Sequence, residues 1–366
     1  MSANLIYQLA LSQIPGIGPI LAKNLVGYCG GVEAVFAEKL SSLKKIPGVG
    51  EKIAHDVFYF EDFDSLNKEV EFIQKSNILT YFFTDKSYPY RLKQIHNSPI
   101  LLFKKGEVDL NNPKLLAIIG TRKCSKYGRE KTNQIIEELS HYNPTIVSGL
   151  AHGIDSFAHK AAVNSNLKTI SVLGHGFDRI YPAINKNLAI KILENNGCWL
   201  SEFKSGTKPD RENFPKRNRI VAGMVDAILV IETPTKGGSM ITANLGFDYN
   251  RDVYALPGRA GDLLSSGCNE LIKRQKAHLV ESAKDIVELL NWDLVETKKQ
   301  SQISLPLSLT SDEQVIFEAL RENGIVGIDT LSEKVNIGVS KLAFSLLEME
   351  FKNLVRSLPG KQYELK

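Results

Sequence analysis

Seven short apolar runs punctuate the stretch 114–292 and decide what it can fold into. They fall at 115–119, 145–148, 169–173, 198–201, 227–232, 253–256 and 278–280, with helical periodicity filling most of the gaps. A brief continuous apolar run suits a strand buried on both faces. Strands alternating with helices predict a mostly parallel, doubly wound sheet. Ligands of such sheets bind beyond the carboxyl ends of the strands. The glycine-bearing turns stand there: GTR after the first run, SGLAHGID after the second, LGHGFDRIYP after the third and ETPTKGGS after the fifth.

The first of these turns combines several anion-binding devices. Gly120 lets backbone amides approach a ligand, Thr121 offers a hydroxyl, and Arg122 and Lys123 bring charge. A helical pattern follows, and a helix N-terminus favours phosphate. Five basic residues (Arg122, Lys123, Lys126, Arg129, Lys131) stand against one acidic residue, Glu130, between 120 and 131. Taken alone, the stretch also reads as an ordinary strand–helix connection with a solvated basic turn.

A second basic cluster, FKSGTKPDRENFPKRNR at 203–219, carries six cations and two acids. Pro215 suits a first helical turn. Arg217 and Arg219 would point to the strand ends, Asn218 can both donate and accept at a base edge, and Phe214 can stack on a base. The alternative places the arginines in structural ion pairs and Phe214 in the core. A third piece, Lys236-Gly237-Gly238-Ser239, is a glycine turn entering a helix, an amide nest for phosphate. It lacks the spacing of a Walker loop. The fragment Gly174-His175-Gly176 lacks the third glycine of a dinucleotide fingerprint. In SGLAHGID, Ser148 and Gly149 sit at a strand end, and a hydrolase would use His152 and Asp155 as base and orienter. No G-x-S-x-G elbow and no metal-ligand spacing accompanies them. His55, His96 and His278 read as surface or packing residues. Three basic or amide-rich turns along one sheet edge, with aromatics, suit the repeating phosphates of a single strand better than one mononucleotide.

The flanks differ in character. QIPGIGPILAKNLV (13–26) and KIPGVGEKIAHDVF (45–58) are an internal repeat that reads as a tandem helix-hairpin-helix, with Lys23 and Lys52 on the opening helical turns. Residues 293–308 read as a polar linker. Residues 309–366 show a capping box at Thr310 and Glu313, then helix, turn, helix and a short hairpin, the winged-helix pattern. Its second helix, 340–352, carries Glu348 and Glu350 and few cations, which suits protein contact rather than groove reading. The expected division is 1–62, 63–292, the linker 293–308, and 309–366. With 366 residues, several domains are expected. A net charge of +4 confines any nucleic-acid surface to a local patch. Four scattered cysteines without a CxxC pair suggest reduced thiols, no zinc site and a cytoplasmic protein. Neither a signal peptide nor an apolar run of roughly 18 residues is seen, so no membrane is expected.

The motifs IIGTRKCSKYG, IVSGLAHGIDSFAHKAA, LGHGFDRIYPAIN, SEFKSGTKP, FPKRNRIVAGM and KGGSMITANLGFDYNRDVYALPG, in this order, resemble the DprA/Smf (DNA processing protein A) family. The resemblance is strongest over 80–280 and extends to both ends, since helix-hairpin-helix and winged-helix ends occur in that family. It implies an extended Rossmann domain that binds single-stranded DNA, dimerises, and hands the strand to the RecA recombinase in natural transformation. It implies no catalysis and no cofactor. Its DNA contacts carry over to Gly120-Thr121-Arg122, with threonine where serine is common; to Phe214, Pro215, Arg217, Asn218 and Arg219; and to Lys236-Gly237-Gly238-Ser239, in an altered context. Ala183 stands where a basic residue often follows the tyrosine–proline pair. Family architecture puts the dimer surface at 268–277. The rival resemblance is to Rossmann phosphoribohydrolases, which act on nucleoside monophosphates with a catalytic glutamate after a PGGxGTxxE turn. No glutamate follows the corresponding turn here.

Overall fold

The computed structural model describes residues 2–292, 309–352, 354–358 and 361–366. They fall into two units that divide near residue 295, so the expected linker, 293–308, lies outside the described residues.

The first unit is built on nine strands: β1 Leu79–Phe82, β2 Leu101–Gly106, β3 Leu115–Ile119, β4 Thr145–Ser148, β5 Thr169–Val172, β6 Cys198–Ser201, β7 Ala227–Val230, β8 Asp252–Ala255 and β9 His278–Leu279. Their order is β1-β2-β6-β5-β4-β3-β7-β8-β9. From β6 to β9 every pairing is parallel, whereas β1–β2 and β2–β6 are antiparallel. Thus the 61–113 segment contributes an antiparallel edge to the doubly wound sheet that the apolar runs predict. β3 is buried on both faces because its side chains alternate between two cores. Leu115, Ala117 and Ile119 pack with Ile220 and Val221 of the helix Asn213–Gly223 and with Ala243 of the helix Gly238–Asp248. Leu116 and Ile118 pack with Ile135 and Ile136 of the helix Lys126–Leu139 and with Ala158 of the helix Ile154–Asn164. Strand order reverses between β3 and β7, so the crevice of the fold opens above their carboxyl ends. At the opposite ends, the buried Arg91 guanidinium grips Asp226 through two bonds of 2.7 and 2.9 Å, and Asp226 also accepts the Leu115 amide at 2.8 Å. This fixes where β3 and β7 begin.

The N-terminal repeat forms two helix-hairpin-helix units. Gly16 and Gly48 turn each hairpin with φ of +84° and +85°, a left-handed conformation that favours glycine. The units cross-pack: Gly16 faces Ile53 of the second repeat, and Gly48 faces Leu21 of the first. Lys23 is committed to the sheet region rather than to solvent, donating to Ser98 Oγ at 2.7 Å and to the His96 carbonyl at 3.3 Å. Lys204 donates to Gln13, and the Ser205 amide donates to Glu69 at 2.9 Å.

The second unit has helices Ser311–Asn323, Ile328–Val335 and Val339–Phe351, with β10 Val326–Gly327, β11 Val355–Leu358 and β12 Gln362–Leu365 in the order β10-β12-β11. The Thr310–Glu313 capping box is present. Glu313 is buried and also accepts from Lys352. Ile316, Leu320, Leu331, Leu342, Leu346 and Met349 form the core of this winged helix.

Candidate nucleic-acid interface

A cleft of about 740 Å³ opens above β3 and β7, where the strand order reverses. Of the residues singled out in the sequence, Gly120, Thr121, Arg122, Gly149, Phe214, Arg217, Asn218, Gly237, Gly238 and Ser239 line it. Lys123, Ser148, Arg219 and Lys236 do not. Ser148 is buried and donates its hydroxyl to the Ile118 carbonyl at 2.7 Å, a strand-to-strand tie. Lys236 is exposed on the turn outside the cleft.

The helix N-terminus after β3 does bind an anion, but the anion is the protein's own. Glu232, buried just past β7, accepts the Ser125 amide at 2.8 Å and also the Ser125 hydroxyl. Ser125 in turn caps the helix by accepting the Gly128 amide at 3.0 Å. A phosphate at that helix start would have to displace this carboxylate. The neighbouring loop is tied down as well: the Thr121 amide donates to the Glu232 carbonyl at 2.7 Å, and the Thr121 hydroxyl accepts the Lys123 amide at 3.2 Å.

The helix Gly238–Asp248 behaves oppositely. Its N-cap, Gly237, has no side chain to offer, so its first amides and the positive end of its dipole face the cleft uncapped. The Ser239 hydroxyl is already spent on Thr233 Oγ1 at 2.8 Å. Its contribution is therefore backbone.

The two arginines of FPKRNR are held by the protein rather than turned to solvent, the structural alternative of the two that the sequence leaves open. Arg217 is 5% exposed and donates to the Val172 carbonyl at 2.8 Å. Its guanidinium lies under the Gly149 loop so closely that a Cβ on Gly149 would stand 1.6 Å from Nη1. Asp155, also buried, accepts the Gly149 amide at 3.2 Å. Burial pushes the Asp155 carboxyl above its usual range, and the Arg217 charge opposes that rise. Arg219 pairs with Glu202 and donates to the Asn97 carbonyl. Both arginines sit on one helix, and the strand-end loops fold down over it, which converts charge into scaffolding.

Arg122, by contrast, stays exposed. Its guanidinium carbon lies 5.6 Å from the Phe214 ring centre, and Tyr181 lies 5.8 Å from Phe214 with rings tilted by 38°. Tyr181 is 44% exposed and lines the cleft together with the exposed Arg211. Tyr181 is not marked as a site residue in the sequence, because the contact that places it, to His175, is not a local pattern. Its amide donates to His175 Nε2 at 3.2 Å, while His175 Nδ1 meets the Gly176 carbonyl at 2.8 Å. An accepting Nε2 and a donating Nδ1 define one neutral tautomer, and burial keeps the ring neutral by lowering its pKa. The Gly174-His175-Gly176 fragment is thus a bracket for Tyr181. The hydrolase pairing does not form: Asp155 faces Gly149 and Arg217, whereas His152 lines the neighbouring groove.

The chain is similar to known proteins along most of its length. The family model described as DNA recombination-mediator protein A matches residues 79–291. A SAM-like helix-hairpin-helix tandem matches 9–57, and the DprA winged helix domain matches 300–361. Protein Smf of Synechocystis is 30% identical over 98% of both chains. The X-ray structure of DNA processing protein A from Streptococcus pneumoniae superposes with a TM-score of 0.67 at 33% identity, covering 79% of this chain and 98% of that one. A Helicobacter pylori DNA processing protein A, whose structure was described for its single-stranded DNA binding mode, gives 0.53 at 29% identity over 58% of this chain and 95% of that one.

Proposed function

The chain belongs to the DNA recombination-mediator protein A (DprA/Smf) family, and from that premise we propose that it binds single-stranded DNA in the cleft above β3 and β7 and delivers it to a RecA-type recombinase during the processing of incoming DNA. The observation that carries this reading is the Tyr181–Phe214–Arg122 group on one side of the cleft, with the uncapped start of the helix Gly238–Asp248 on another. Aromatic faces stack on any base, and the cation and amides donate to phosphates, the combination that single strands require. The single-stranded DNA binding described for the H. pylori relative supports the same ligand. Delivery to the recombinase, a cytoplasmic location and a homodimer rest on the family resemblance. For the dimer surface the proposal keeps 268–277, where Cys268, Leu271 and Ala277 are buried within the protomer and Lys273, Arg274 and Gln275 are exposed.

The phosphoribohydrolase alternative needs a free carboxylate in the cleft. Asp155 is the acid that lines it, and it is engaged by Gly149 and Arg217. A gel-shift titration with single- and double-stranded oligomers at two salt concentrations tests the proposal. Preferential single-strand binding that weakens steeply with salt is expected. Equal duplex binding, or base release from a nucleoside monophosphate without DNA affinity, would replace it.

A further inference from the structure

Beside the cleft lies a second depression of about 1050 Å³, lined mostly by residues outside the DNA contacts that the resemblance carries over. Its lining includes Arg122, Lys123, Arg129, Lys160 and Lys191, together with Phe157, and contains no aspartate or glutamate. All five cations are exposed. Arg122 belongs to both depressions, so the two surfaces are continuous across its side chain. The chemistry repeats across that boundary. In the cleft, Arg122 lies against the Phe214 ring; in the groove, Arg129 and Lys160 each lie 5.4 Å from the Phe157 ring centre. A ring flanked in this way holds two flexible cations at a fixed spacing, ready for adjacent phosphates.

The concentration of charge is notable in a chain whose net charge is only +4. Cations crowded without acids repel one another, which lowers stability unless a polyanion neutralises them. Lys126 and Glu130, close by in sequence on the helix Lys126–Leu139, pair with each other at 3.6 Å, so local acid is available but is not turned into the groove.

We propose that this groove is the continuation of the nucleic-acid track: a single strand seated in the cleft passes over Arg122 and runs on between Arg129, Lys160 and Lys191. The inference rests on the cleft's being a single-strand site and extends it to a longer footprint. A single strand is the occupant because a polymer leaving the cleft past Arg122 meets the groove directly, and its repeating phosphates need several cations in succession. An acidic protein segment would satisfy the charge without requiring that continuity.

The test is fluorescence anisotropy with labelled oligothymidylates of about 5 and about 20 nucleotides, lengths that bracket the usual span of a single-strand groove. The full chain is compared with the triple variant Arg129→Gln, Lys160→Gln, Lys191→Gln. For the unaltered chain, the long oligomer should bind more tightly and with the steeper salt dependence. In the variant, the long oligomer should lose at least tenfold in affinity, and its log–log salt slope should fall by about 2, from roughly 0.7 per phosphate contact. The short oligomer should be unaffected. A variant that binds the long oligomer with unchanged affinity and slope overturns the extended track. So does oligoglutamate competing at the groove while long and short oligomers bind the unaltered chain alike. If the unaltered chain binds neither oligomer, the cleft reading itself fails, a result distinct from these.

Discussion

Replacing Arg217 should damage the fold more than it damages the salt dependence of DNA binding. Its guanidinium is 5% exposed, donates to the Val172 carbonyl at 2.8 Å and stands beside the buried Asp155. Arg217→Met keeps most of the volume and removes the charge. Removing this buried cation leaves the Val172 carbonyl without its donor and Asp155 without a nearby opposite charge, a loss of about 1–3 kcal/mol. At roughly 2–4 °C per kcal/mol for a unit of this size, the melting temperature should fall by about 2–12 °C. The pH dependence has a definite sign. Burial already raises the Asp155 pKa, and the Arg217 charge is what opposes that rise. Without Arg217 the carboxyl rises further and takes up a proton more readily. A group whose folded pKa is raised loses its stabilising contribution as pH rises through that pKa. The deficit of the variant is therefore largest at neutral pH and shrinks on acidification toward the ordinary aspartate range, and adding Asp155→Asn should recover part of it. Thermal melts across this pH range, paired with oligothymidylate anisotropy at several salt concentrations, read both sides. Arg122→Ala, at an exposed side chain, should do the reverse: stability within about 0.5 kcal/mol of the unaltered protein and a salt slope lower by about 0.7. If Arg217→Met melts like the unaltered protein and instead loses that slope, Arg217 is a phosphate ligand and the scaffold argument is wrong.

Tyr181→Ala should weaken oligothymidylate binding by about 1–3 kcal/mol, the worth of one base stack, with Tyr181→Phe near normal; equal affinity for all three proteins would remove Tyr181 from the platform. Gly128→Ala places a Cβ 2.4 Å from Glu232 Oε2, so the carboxylate must leave the Ser125 amide, and a thermal melt should report a loss of about 1–3 kcal/mol for the buried group left unpaired; an unchanged melt would mean that the helix start does not depend on Glu232. His159 is buried, meets Thr169 Oγ1 at 2.7 Å, and has its pKa lowered to about 3 by burial and the Arg217 charge. For a base with a depressed folded pKa, stability is complete above the unfolded value near 6.5 and is lost as pH falls from there toward 3, by up to about 1.4 kcal/mol per unit. His159→Gln should flatten this acid limb of the melting-temperature profile, and an equally steep limb in the variant would assign it to other groups.

The sheet was legible because its signal is local. An apolar run of four or five residues between polar turns can hardly be anything but a strand buried on two faces, and β3, β4 and β6 occupy 115–119, 145–148 and 198–201 as read. The tandem hairpins and the Thr310–Glu313 capping box were legible for the same reason, since a repeat and a cap are written in neighbouring residues. The position of the cleft followed from the rule that ligands bind at strand carboxyl ends, and Gly120, Gly149, Phe214 and Gly237 meet there.

Which charges remain free was not written locally. Arg122, Arg217 and Arg219 look equivalent in sequence, yet one is exposed against Phe214, one is buried under the Gly149 loop, and one is paired with Glu202. The acids that decide this, Asp155 and Glu202, lie about 62 and 17 residues along the chain from Arg217 and Arg219. Tyr181 joined the site only because His175 turns its loop back over Phe214. Local pattern, through hydrogen bonding and hydrophobic periodicity, determined the strands, the helices and the edge at which a ligand can sit. Tertiary packing alone decided which of the cations gathered at that edge are neutralised by the protein and which are left for something else to neutralise, because that depends on distances between residues that no short-range pattern records.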